Sequence, residues 1–292
     1  MTILPTCKIC GSKELTFFAH TISCNDCGVL LCYPYPEVRE EKFLKKKNDL
    51  AGPELEKTQA YMLDWHLNSG NRNHYNFTNM TLFALNDSDR KKYLRILYYG
   101  GGGGQFALIF KSLCPKTDVY IVDMDDGRLL DVYSPLNKQI KFRDFDSSMI
   151  KYDFIFMNDV FEHVSDPLDV LKTLHSKLND GGKIFIDTPC QFWLYPLTKY
   201  FSKKIHTKLL KGTVSYDHQQ IWSKKSFKII IRKAGMSIQK YSVLTEFTQD
   251  ADYYLNNMKI TSGVVRLAGK IFFWLAPLIA KNKIMAVVSP DR

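Results

Sequence analysis

The 292-residue sequence predicts an α/β fold in which helices flank a doubly wound, mostly parallel sheet. The first observation behind this prediction is a short apolar strand, Ile96 to Tyr99, that leads through five consecutive glycines into an apolar helix starting at Phe106. The second is that further apolar strand patterns alternate with helical patterns after this junction. Strands that alternate with helices are typical of crossover connections between parallel strands.

The glycine run, residues 100–104, is the clearest sign of a ligand site. Glycine has no Cβ and adopts positive φ angles easily, so the backbone can turn tightly and approach a ligand closely. The following helix directs its N-terminal N–H groups into the same gap. A glycine run can also be a flexible linker, but about twenty residues later Val119 to Val122 forms a strand pattern that ends in Asp123. An acidic residue at this spacing can hold a ribose diol.

Three more strand patterns and one helix complete the central region. Gln139 to Phe142 is predicted as a third strand, and Tyr152 to Met157 as a fourth that is nearly all apolar, as in a buried parallel strand. A helix is predicted from Asp166-Pro167, which supplies an N-cap and a first-turn proline, to the Asp180-Gly181-Gly182 turn. Lys183 to Asp187 is predicted as the fifth strand.

Residues 95–189 resemble the class I S-adenosylmethionine-dependent methyltransferases. The glycine loop, the acidic residue after the second strand, the Asp144-Phe145 corner, the segment Asn158 to Val164 and the turn before the fifth strand follow the order of that family. The resemblance implies a Rossmann-like, seven-stranded sheet, S-adenosylmethionine as the cofactor and transfer of its methyl group. Tyr98 departs from the family pattern, because an acidic residue near the methionine end of the cofactor is usual there. A non-catalytic cofactor-binding protein is therefore an alternative.

The resemblance also implies which residues hold the cofactor. The loop glycines would line its methionine and ribose parts, and the acidic residue would take the ribose hydroxyls. Met124 would pack on the adenine, and Asp144 and Phe145 would hold the adenine edge. Asn158 would face the cofactor from the end of the fourth strand. This set is Gly100, Gly102, Gly104, Asp123, Met124, Asp144, Phe145 and Asn158. Because the sulfonium carries the leaving-group chemistry, the protein mainly aligns the reactants and excludes water.

Two C-x-x-C motifs near the N-terminus predict a structural zinc site. They are Cys7-Lys8-Ile9-Cys10 and Cys24-Asn25-Asp26-Cys27, and a glycine follows each. Four thiolates in two such pairs match a closed tetrahedral site made by Cys7, Cys10, Cys24 and Cys27, which leaves no coordination position for a substrate. Four unrelated buried cysteines are the alternative. The other three cysteines, Cys32, Cys114 and Cys190, are expected in the core.

The acceptor is expected to bind at an insertion of about residues 190–222, which combines aromatic residues with lysines. The zinc motif and the Asp217-His218 pair resemble bacterial sugar methyltransferases, including the deoxysugar C-methyltransferases, in which a histidine after strand four and a Glu-His pair take part in acid–base chemistry. This resemblance implies that His218, oriented by Asp217, is the general base, with His163 as the second candidate. Asp217 replaces the usual Glu, and O-methylation of a surface or nucleotide-linked sugar fits at least as well. Either histidine can instead have a purely structural role.

The net charge of +10 is concentrated in the last third of the chain. Residues 190–292 contain 17 Lys and Arg against 5 Asp and Glu. This part is either a solvated basic face or meets an anionic partner, such as a phosphate-bearing substrate or a membrane surface. Gly263 to Ile279 is predicted as a helix that packs on the core, with a peripheral membrane-surface helix as the alternative. Ile284 to Val288 is predicted as the last strand of the sheet.

The expected organisation has three parts: a zinc-ribbon-like module (1–50), a helical linker or cap (51–90) and the methyltransferase domain (91–292). Seven cysteines without an export-signal pattern favour a cytoplasmic protein, with peripheral contact at the inner membrane face as a further expectation. No stretch is long and uncharged enough to span a bilayer. A nucleic-acid acceptor is the weaker alternative, because Asn158 is followed by Asp159-Val160 and not by the Pro-Pro-aromatic signature of amino-group DNA methylation.

Overall fold

The structure is a computed structural model that describes residues 6–18, 21–32, 60, 75–124, 131–190, 218–246, 251–257, 260–279 and 281–291. The expectations for Asp217 and for most of the predicted acceptor insertion, residues 191–217, lie outside these described residues. The same holds for most of the expected linker, of which residues 75–84 are helical.

The strands of the described chain form two sheets. In chain order they are β1 (Leu15–Phe18), β2 (Thr21–Cys24), β3 (Leu30–Cys32), β4 (Arg95–Tyr99), β5 (Asp118–Asp123), β6 (Lys138–Lys141), β7 (Tyr152–Asn158), β8 (Leu178–Pro189), β9 (Gln220–Ile221), β10 (Met236–Leu244) and β11 (Lys283–Pro290). The larger sheet has seven strands in the order β10-β11-β8-β7-β4-β5-β6, and the smaller sheet has the order β1-β2-β3-β9. In the larger sheet β11 runs antiparallel to both neighbours, whereas the pairs from β8 to β6 are parallel. The predicted fold class is therefore confirmed.

Helices cover both faces of the larger sheet. Besides the helical residues 75–84, they are in chain order α1 (Asp87–Lys91), α2 (Phe106–Leu113), α3 (Phe142–Phe145), α4 (Pro167–Ser176), α5 (Lys224–Lys233), α6 (Ala251–Asn257) and α7 (Gly263–Ile279), with a 3₁₀ turn at Asp131–Leu136. Strand β7 shows why a central strand is apolar throughout: Ile155 and Met157 lie in one hydrophobic cluster, and Phe154 and Phe156 lie in the other. Alternate side chains point to opposite faces, and both faces are covered.

Two boundaries differ from the sequence prediction. Phe142 begins helix α3 and does not end the third strand. Helix α4 ends at Ser176, and the Asp180-Gly181-Gly182 segment lies inside β8, beside an irregular register with β7. Gly181 has a φ of +75°, and a Cβ at Gly182 would lie 2.9 Å from the Asn179 carbonyl oxygen. These glycines therefore shape a bulge within β8. In the sequence, the same glycine pair resembles a turn that ends a helix.

The cysteine-containing sheet is joined to the methyltransferase-like part of the chain. Its fourth strand, β9, comes from residues 220–221 and pairs antiparallel with β3. The Lys8 ammonium donates a hydrogen bond to the Ser165 carbonyl at 3.1 Å, and the Ser223 hydroxyl donates to the Cys27 carbonyl. Strand β9 lies within the predicted 190–222 insertion, so residues 220–221 of that segment complete the sheet of β1, β2 and β3.

Helix α7 is present where predicted, but one of its apolar stripes is exposed and does not pack on the core. The side chains of this stripe are Val264, Leu267, Ile271, Trp274 and Leu278, and Trp274 is 78% exposed. On the opposite side Ala276 is buried, and a Cβ at Gly269 would lie 2.6 Å from Leu255 Cδ2, so α7 packs closely on α6 there.

Within the described residues, none of the helices has the length and apolar character that crossing a membrane would require.

Candidate cofactor and acceptor site

The carboxyl ends of β4 and β7 mark the point where the chain reverses its direction of travel across the sheet. From β4 the chain moves outward to β5 and β6, then returns to β7 on the other side of β4. Ligands of open α/β sheets bind in the crevice at such a switch point, because the loops leave it in opposite directions. The glycine loop, Asp123 and Asn158 all lie at this edge, since each directly follows or ends one of these strands.

The glycine loop has positive φ angles at its first, third and fifth positions: +71° at Gly100, +49° at Gly102 and +82° at Gly104. A Cβ at Gly100 would lie 2.4 Å from Val160 Cγ2, so close packing against the loop after β7 requires glycine there. At Gly102, among the described residues other than its two chain neighbours, no atom lies within 4 Å of such a Cβ. The Gly102 N–H donates to Asp123 Oδ2 at 2.8 Å, which brings the loop and the acidic residue together at one open face.

The other predicted cofactor residues differ in how exposed their side chains are. Met124 is half-buried next to Asp123. Asn158 ends β7, and its buried Oδ1 has no hydrogen-bond partner among the described residues. At the α3 corner Asp144 is exposed, whereas Phe145 is buried with its ring 5.7 Å from that of Tyr99.

Tyr98, the departure from the family pattern, is a core residue. It is 4% exposed, and its ring meets that of Phe106 edge-on at 5.2 Å. Burial raises the pKa of its phenol, so the side chain is neutral. The chain therefore has aromatic packing under the glycine loop where the family usually has a carboxylate. The open space at Gly102, the carboxylate of Asp123 and the unpartnered Asn158 oxygen still fit the ribose and amino-acid parts of S-adenosylmethionine.

Both candidate catalytic histidines of the described chain meet beside Glu162. The rings of His163 and His218 are 4.9 Å apart between centroids and meet edge-on. His163 Nε2 lies 3.7 Å from Glu162 Oε1, and its side chain is 40% exposed. One ligand atom from each of the three residues lies within 4.8 Å of the other two. The structure thus brings together two histidines that are 55 residues apart in the sequence.

Glu162 is the buried member of this cluster. Its Oε2 accepts a hydrogen bond from the Thr188 hydroxyl at 2.9 Å, whereas Oε1 has no hydrogen-bond partner among the described residues. Burial, and secondarily the charge of Asp159, raises the pKa of Glu162 to about 8. One oxygen of this buried carboxyl group therefore lies next to two imidazoles without a hydrogen-bond partner among the described residues.

The position of His218 depends on strand β9. The N–H groups of Gln219 and Gln220 donate to the Glu162 carbonyl at 2.8 and 3.2 Å. The Gln220 side-chain amide donates to the Phe161 and Val164 carbonyls at 2.8 and 2.9 Å. Because Gln220 also belongs to the strand that pairs with β3, the cysteine-containing sheet and the loop after β7 together set where His218 lies.

A buried lysine that sequence reasoning missed lies beside the cluster. Lys283 at the start of β11 makes ion pairs with Asp159 at 2.5 Å and with Asp187 at 2.6 Å. Asp187 is fully buried, and burial raises its pKa, whereas Lys283 opposes this shift. The sequence signal was a lysine directly before an apolar strand, but Lys283 and Asp187 are 96 positions apart, which hid their pairing.

Asp159 has a φ of +51°, an uncommon backbone conformation for a residue other than glycine. Its N–H donates to the Asp187 carbonyl at 3.1 Å, and its carboxylate pairs with Lys283. Such conformations persist where neighbouring contacts hold them and concentrate at functional sites. Here the ion pair and the backbone hydrogen bond hold the turn between β7 and Glu162.

The four cysteines of the two C-x-x-C motifs lie together as predicted. Cys7 and Cys27 have their sulfur atoms 3.7 Å apart, and Cys10 and Cys24 have theirs 3.5 Å apart. Zinc–sulfur bonds of about 2.3 Å in a tetrahedron require sulfur–sulfur distances of about 3.8 Å. The other three cysteines are buried in the core, as expected.

A comparison with protein families identifies the central part of the chain. The family model described as "Methyltransferase domain" matches residues 59–241, more than half of the sequence. The chain belongs to this methyltransferase family. Its fold is that of the class I S-adenosylmethionine-dependent methyltransferases, as the strand order shows.

Solved methyltransferases share this fold at low sequence identity. Phosphoethanolamine N-methyltransferase 2 from Haemonchus contortus, solved in complex with S-adenosyl-L-methionine, has a TM-score of 0.53 and 14% identity, over 90% of this chain and 62% of that one. A putative methyltransferase from Bacillus halodurans has a TM-score of 0.51 and 12% identity, over 74% of this chain and 99% of that one.

Curated relatives match over a short segment. A protein from Campylobacter fetus named tRNA U34 carboxymethyltransferase is 48% identical over 46 residues, which are 16% of this chain and 16% of that protein. A protein of the same name from Campylobacter curvus is 53% identical over 38 residues, 13% of each chain. The matches therefore span about one sixth or less of the length of these relatives.

Proposed function

We propose that this methyltransferase transfers a methyl group from S-adenosylmethionine to a sugar-type acceptor, in the biosynthesis of a surface glycan or a related product. The observation that carries the proposal is the cluster of Glu162, His163 and His218 beside the loop after β7. Sugar hydroxyl groups, and the carbons next to sugar keto groups, need help to lose a proton, and histidine is suited to that task near neutral pH.

The cofactor would lie across the glycine loop. Asp123 would accept hydrogen bonds from the ribose hydroxyls, and the unpartnered Asn158 oxygen would accept one from the cofactor. Met124, Asp144 and Phe145 keep their proposed places around the adenine. When bound, S-adenosylmethionine supplies an activated methyl group on a sulfonium, so the chain has to position the acceptor and keep water out.

On the acceptor side, His218 would take the proton from the acceptor, with His163 as the second candidate. Asp217 is proposed to orient His218. The aromatic residues and lysines of the 190–222 segment would meet a sugar face and a phosphate, which favours a nucleotide-linked sugar.

The cysteine module is proposed to bind one Zn²⁺ through Cys7, Cys10, Cys24 and Cys27. The sulfur–sulfur distances fit a tetrahedral ion, and the site has a structural role because all four positions are taken by thiolates. The proposed organisation is a cysteine module (1–50), a linker or cap (51–90) and a methyltransferase domain (91–292). Strand β9 belongs to the third part and joins the sheet of the first.

A tRNA acceptor is the second candidate. It is favoured by the short segment of high identity to the Campylobacter proteins named tRNA U34 carboxymethyltransferase and by the basic last third of the chain. An inactive cofactor-binding role, which Tyr98 suggests, is the third.

The test is a methyl-transfer screen with purified full-length protein, a panel of nucleotide-linked sugars and, in parallel, unmodified tRNA. We expect turnover with at least one nucleotide-linked sugar. Methylation of tRNA alone would replace the sugar proposal, and cofactor binding without turnover on any acceptor would support the inactive role.

His218→Asn, measured with the acceptor found in the screen, should lower kcat by roughly 10²–10⁴-fold, the usual contribution of a positioned general base. The affinity for S-adenosylhomocysteine should stay unchanged, because His218 lies outside the cofactor residues. His175→Asn on α4 is the matched control and should keep normal turnover. A His218→Asn protein with normal turnover would remove the base role from this residue.

A further inference from the structure

We infer that Glu162, His163 and His218 form a binding site for a divalent metal ion. One carboxylate and two imidazoles offer three ligand atoms that already lie within 4.8 Å of one another. Bonds of about 2.1 Å to a metal ion place neighbouring ligand atoms about 3.0–3.5 Å apart, so a modest rotation of the side chains closes the set. His163, 40% exposed, is the ring with most room to turn.

The unpartnered oxygen of Glu162 points to a ligand that the protein atoms do not supply. Its residue is fully buried, Oε2 is held by the Thr188 hydroxyl, and Oε1 faces His163 at 3.7 Å without a hydrogen bond. A buried carboxylate oxygen without a partner is costly. A cation between Oε1 and the two rings would satisfy it, and the Thr188 hydroxyl would then act as the outer partner that orients a ligating carboxylate.

The charges around the cluster favour a cation. The charges of Asp159 and Lys283 both act on Glu162, and Lys283 pairs with Asp159 and with Asp187. Apart from Glu162 itself, these three side chains carry one more negative than positive charge. Two neutral imidazoles and a carboxylate are a donor set suited to divalent Mn, Fe, Co, Ni or Zn, and three protein ligands leave positions open for a substrate.

An ion here would act on the acceptor, a step that rests on the proposed function. It would polarise an acceptor hydroxyl placed beside it and make the proton easier to lose. The acceptor O–H bond would then break with the proton passing to solvent, the new O–CH₃ bond would form, and the S–CH₃ bond would break with the electron pair left on sulfur. As ligands of the ion, the two histidines would help the proton to leave indirectly. This replaces the direct transfer of the proton to His218 described above, and the site would favour O-methylation.

The binding test uses full-length protein with zinc already loaded in the cysteine module, titrated with Mn²⁺ and followed by electron paramagnetic resonance. We expect one Mn²⁺ per chain, and affinity at least about tenfold weaker in Glu162→Gln and in His218→Asn. His163→Asn, which alters the most exposed ligand, provides a variant that should fold even if the buried Glu162→Gln does not. His175→Asn is the control and should bind Mn²⁺ normally. Equal affinity in the wild type and all three site variants would overturn the inference.

The activity test separates this inference from the proposed function. Treatment with a chelator that leaves the zinc in place should abolish turnover, and Mn²⁺ should restore it. Full turnover after chelation, with loss only in His218→Asn, would overturn the metal site and leave sugar methylation by a histidine base. Tight Mn²⁺ binding without turnover on any nucleotide-linked sugar would support the metal site and refute the proposed acceptor.

Discussion

Two kinds of residue surround the switch point of the sheet. On the cofactor side, Asp123 is held by the N–H of Gly102 at 2.8 Å, so its carboxylate is placed before any ligand binds. On the acceptor side, Glu162 has one oxygen held by Thr188 and the other unsatisfied. Polar groups that are fixed in advance lose little entropy on binding, and such groups contribute most to affinity and catalysis.

At the residue scale, Asp123→Ala should weaken binding of S-adenosylhomocysteine by about 1.5–3 kcal/mol, roughly tenfold to a hundredfold, because ribose hydroxyls lose a charged acceptor. Isothermal titration calorimetry measures this directly. Asp146→Ala, at an exposed aspartate near the same edge, should bind normally. If the wild type itself does not bind, Tyr98 marks an inactive cofactor site. Normal affinity in Asp123→Ala would place the ribose elsewhere.

At the scale of elements, strand β9 connects parts of the chain that are far apart in sequence. It completes the sheet of the cysteine module, and its Gln220 amide satisfies two carbonyls of the loop after β7. Trp222, the residue after β9, stacks on Phe161 with their ring centroids 4.6 Å apart. The module therefore supports the candidate acceptor site as well as its own fold.

Gln220→Leu should lower the free energy of unfolding by about 2–4 kcal/mol, because two carbonyls lose buried hydrogen bonds. Urea denaturation followed by fluorescence gives the value. Gln239→Leu removes an exposed amide that bonds to Ser237 and Ser289, and should change stability by no more than about 0.5 kcal/mol. A Gln220→Leu protein as stable as the wild type would show that β9 does not depend on these bonds.

The double variant Cys7→Ser, Cys10→Ser should lose zinc and the folded structure of the module. Metal analysis of the wild type, prepared without chelators, is expected to give close to one equivalent of zinc. Cys114→Ala, a buried cysteine outside the motifs, should keep the metal. Wild-type protein without metal would contradict the zinc assignment.

At the scale of the whole molecule, the basic charge is concentrated in the last third of the sequence, which also contains the exposed apolar stripe of α7. Lys270 precedes Ile271 of the exposed α7 stripe and pairs with Asp252 at 2.8 Å. Lys281 donates a hydrogen bond to the carbonyl of Pro277, the residue before Leu278, at 3.2 Å. We propose that this stripe contacts an anionic membrane surface, since an apolar face with basic neighbours matches the boundary between lipid headgroups and acyl chains.

Trp274→Asp should weaken binding to phosphatidylcholine vesicles that contain phosphatidylglycerol by at least about tenfold, as expected for a large apolar side chain that leaves the interface. Co-sedimentation measures it. Met149→Asp changes another highly exposed apolar residue, outside α7, and should have no effect. Unchanged vesicle binding, or a change only in oligomeric state by light scattering, would show that the stripe does not meet lipid.

Local patterns were enough to predict the fold class, most of the elements and the proximity of the four cysteines. Apolar strands, the glycine loop and the N-cap at Asp166 depend on residues a few positions apart, and the structure has each of them. The same locality explains the error at Gly181 and Gly182, because a glycine pair signals a break in the chain without saying whether it ends a helix or shapes a bulge.

The sequence by itself determined an α/β methyltransferase fold with a glycine loop, an acidic residue after the second strand and a cysteine module. Tertiary structure alone decided that β9 joins this module to the loop after β7, that Lys283 pairs with Asp159 and Asp187, and that His218 meets His163 beside Glu162. The physical reason is that hydrophobic periodicity acts between near neighbours. Contacts between residues 50 to 200 positions apart depend on which strands the folded sheet places side by side.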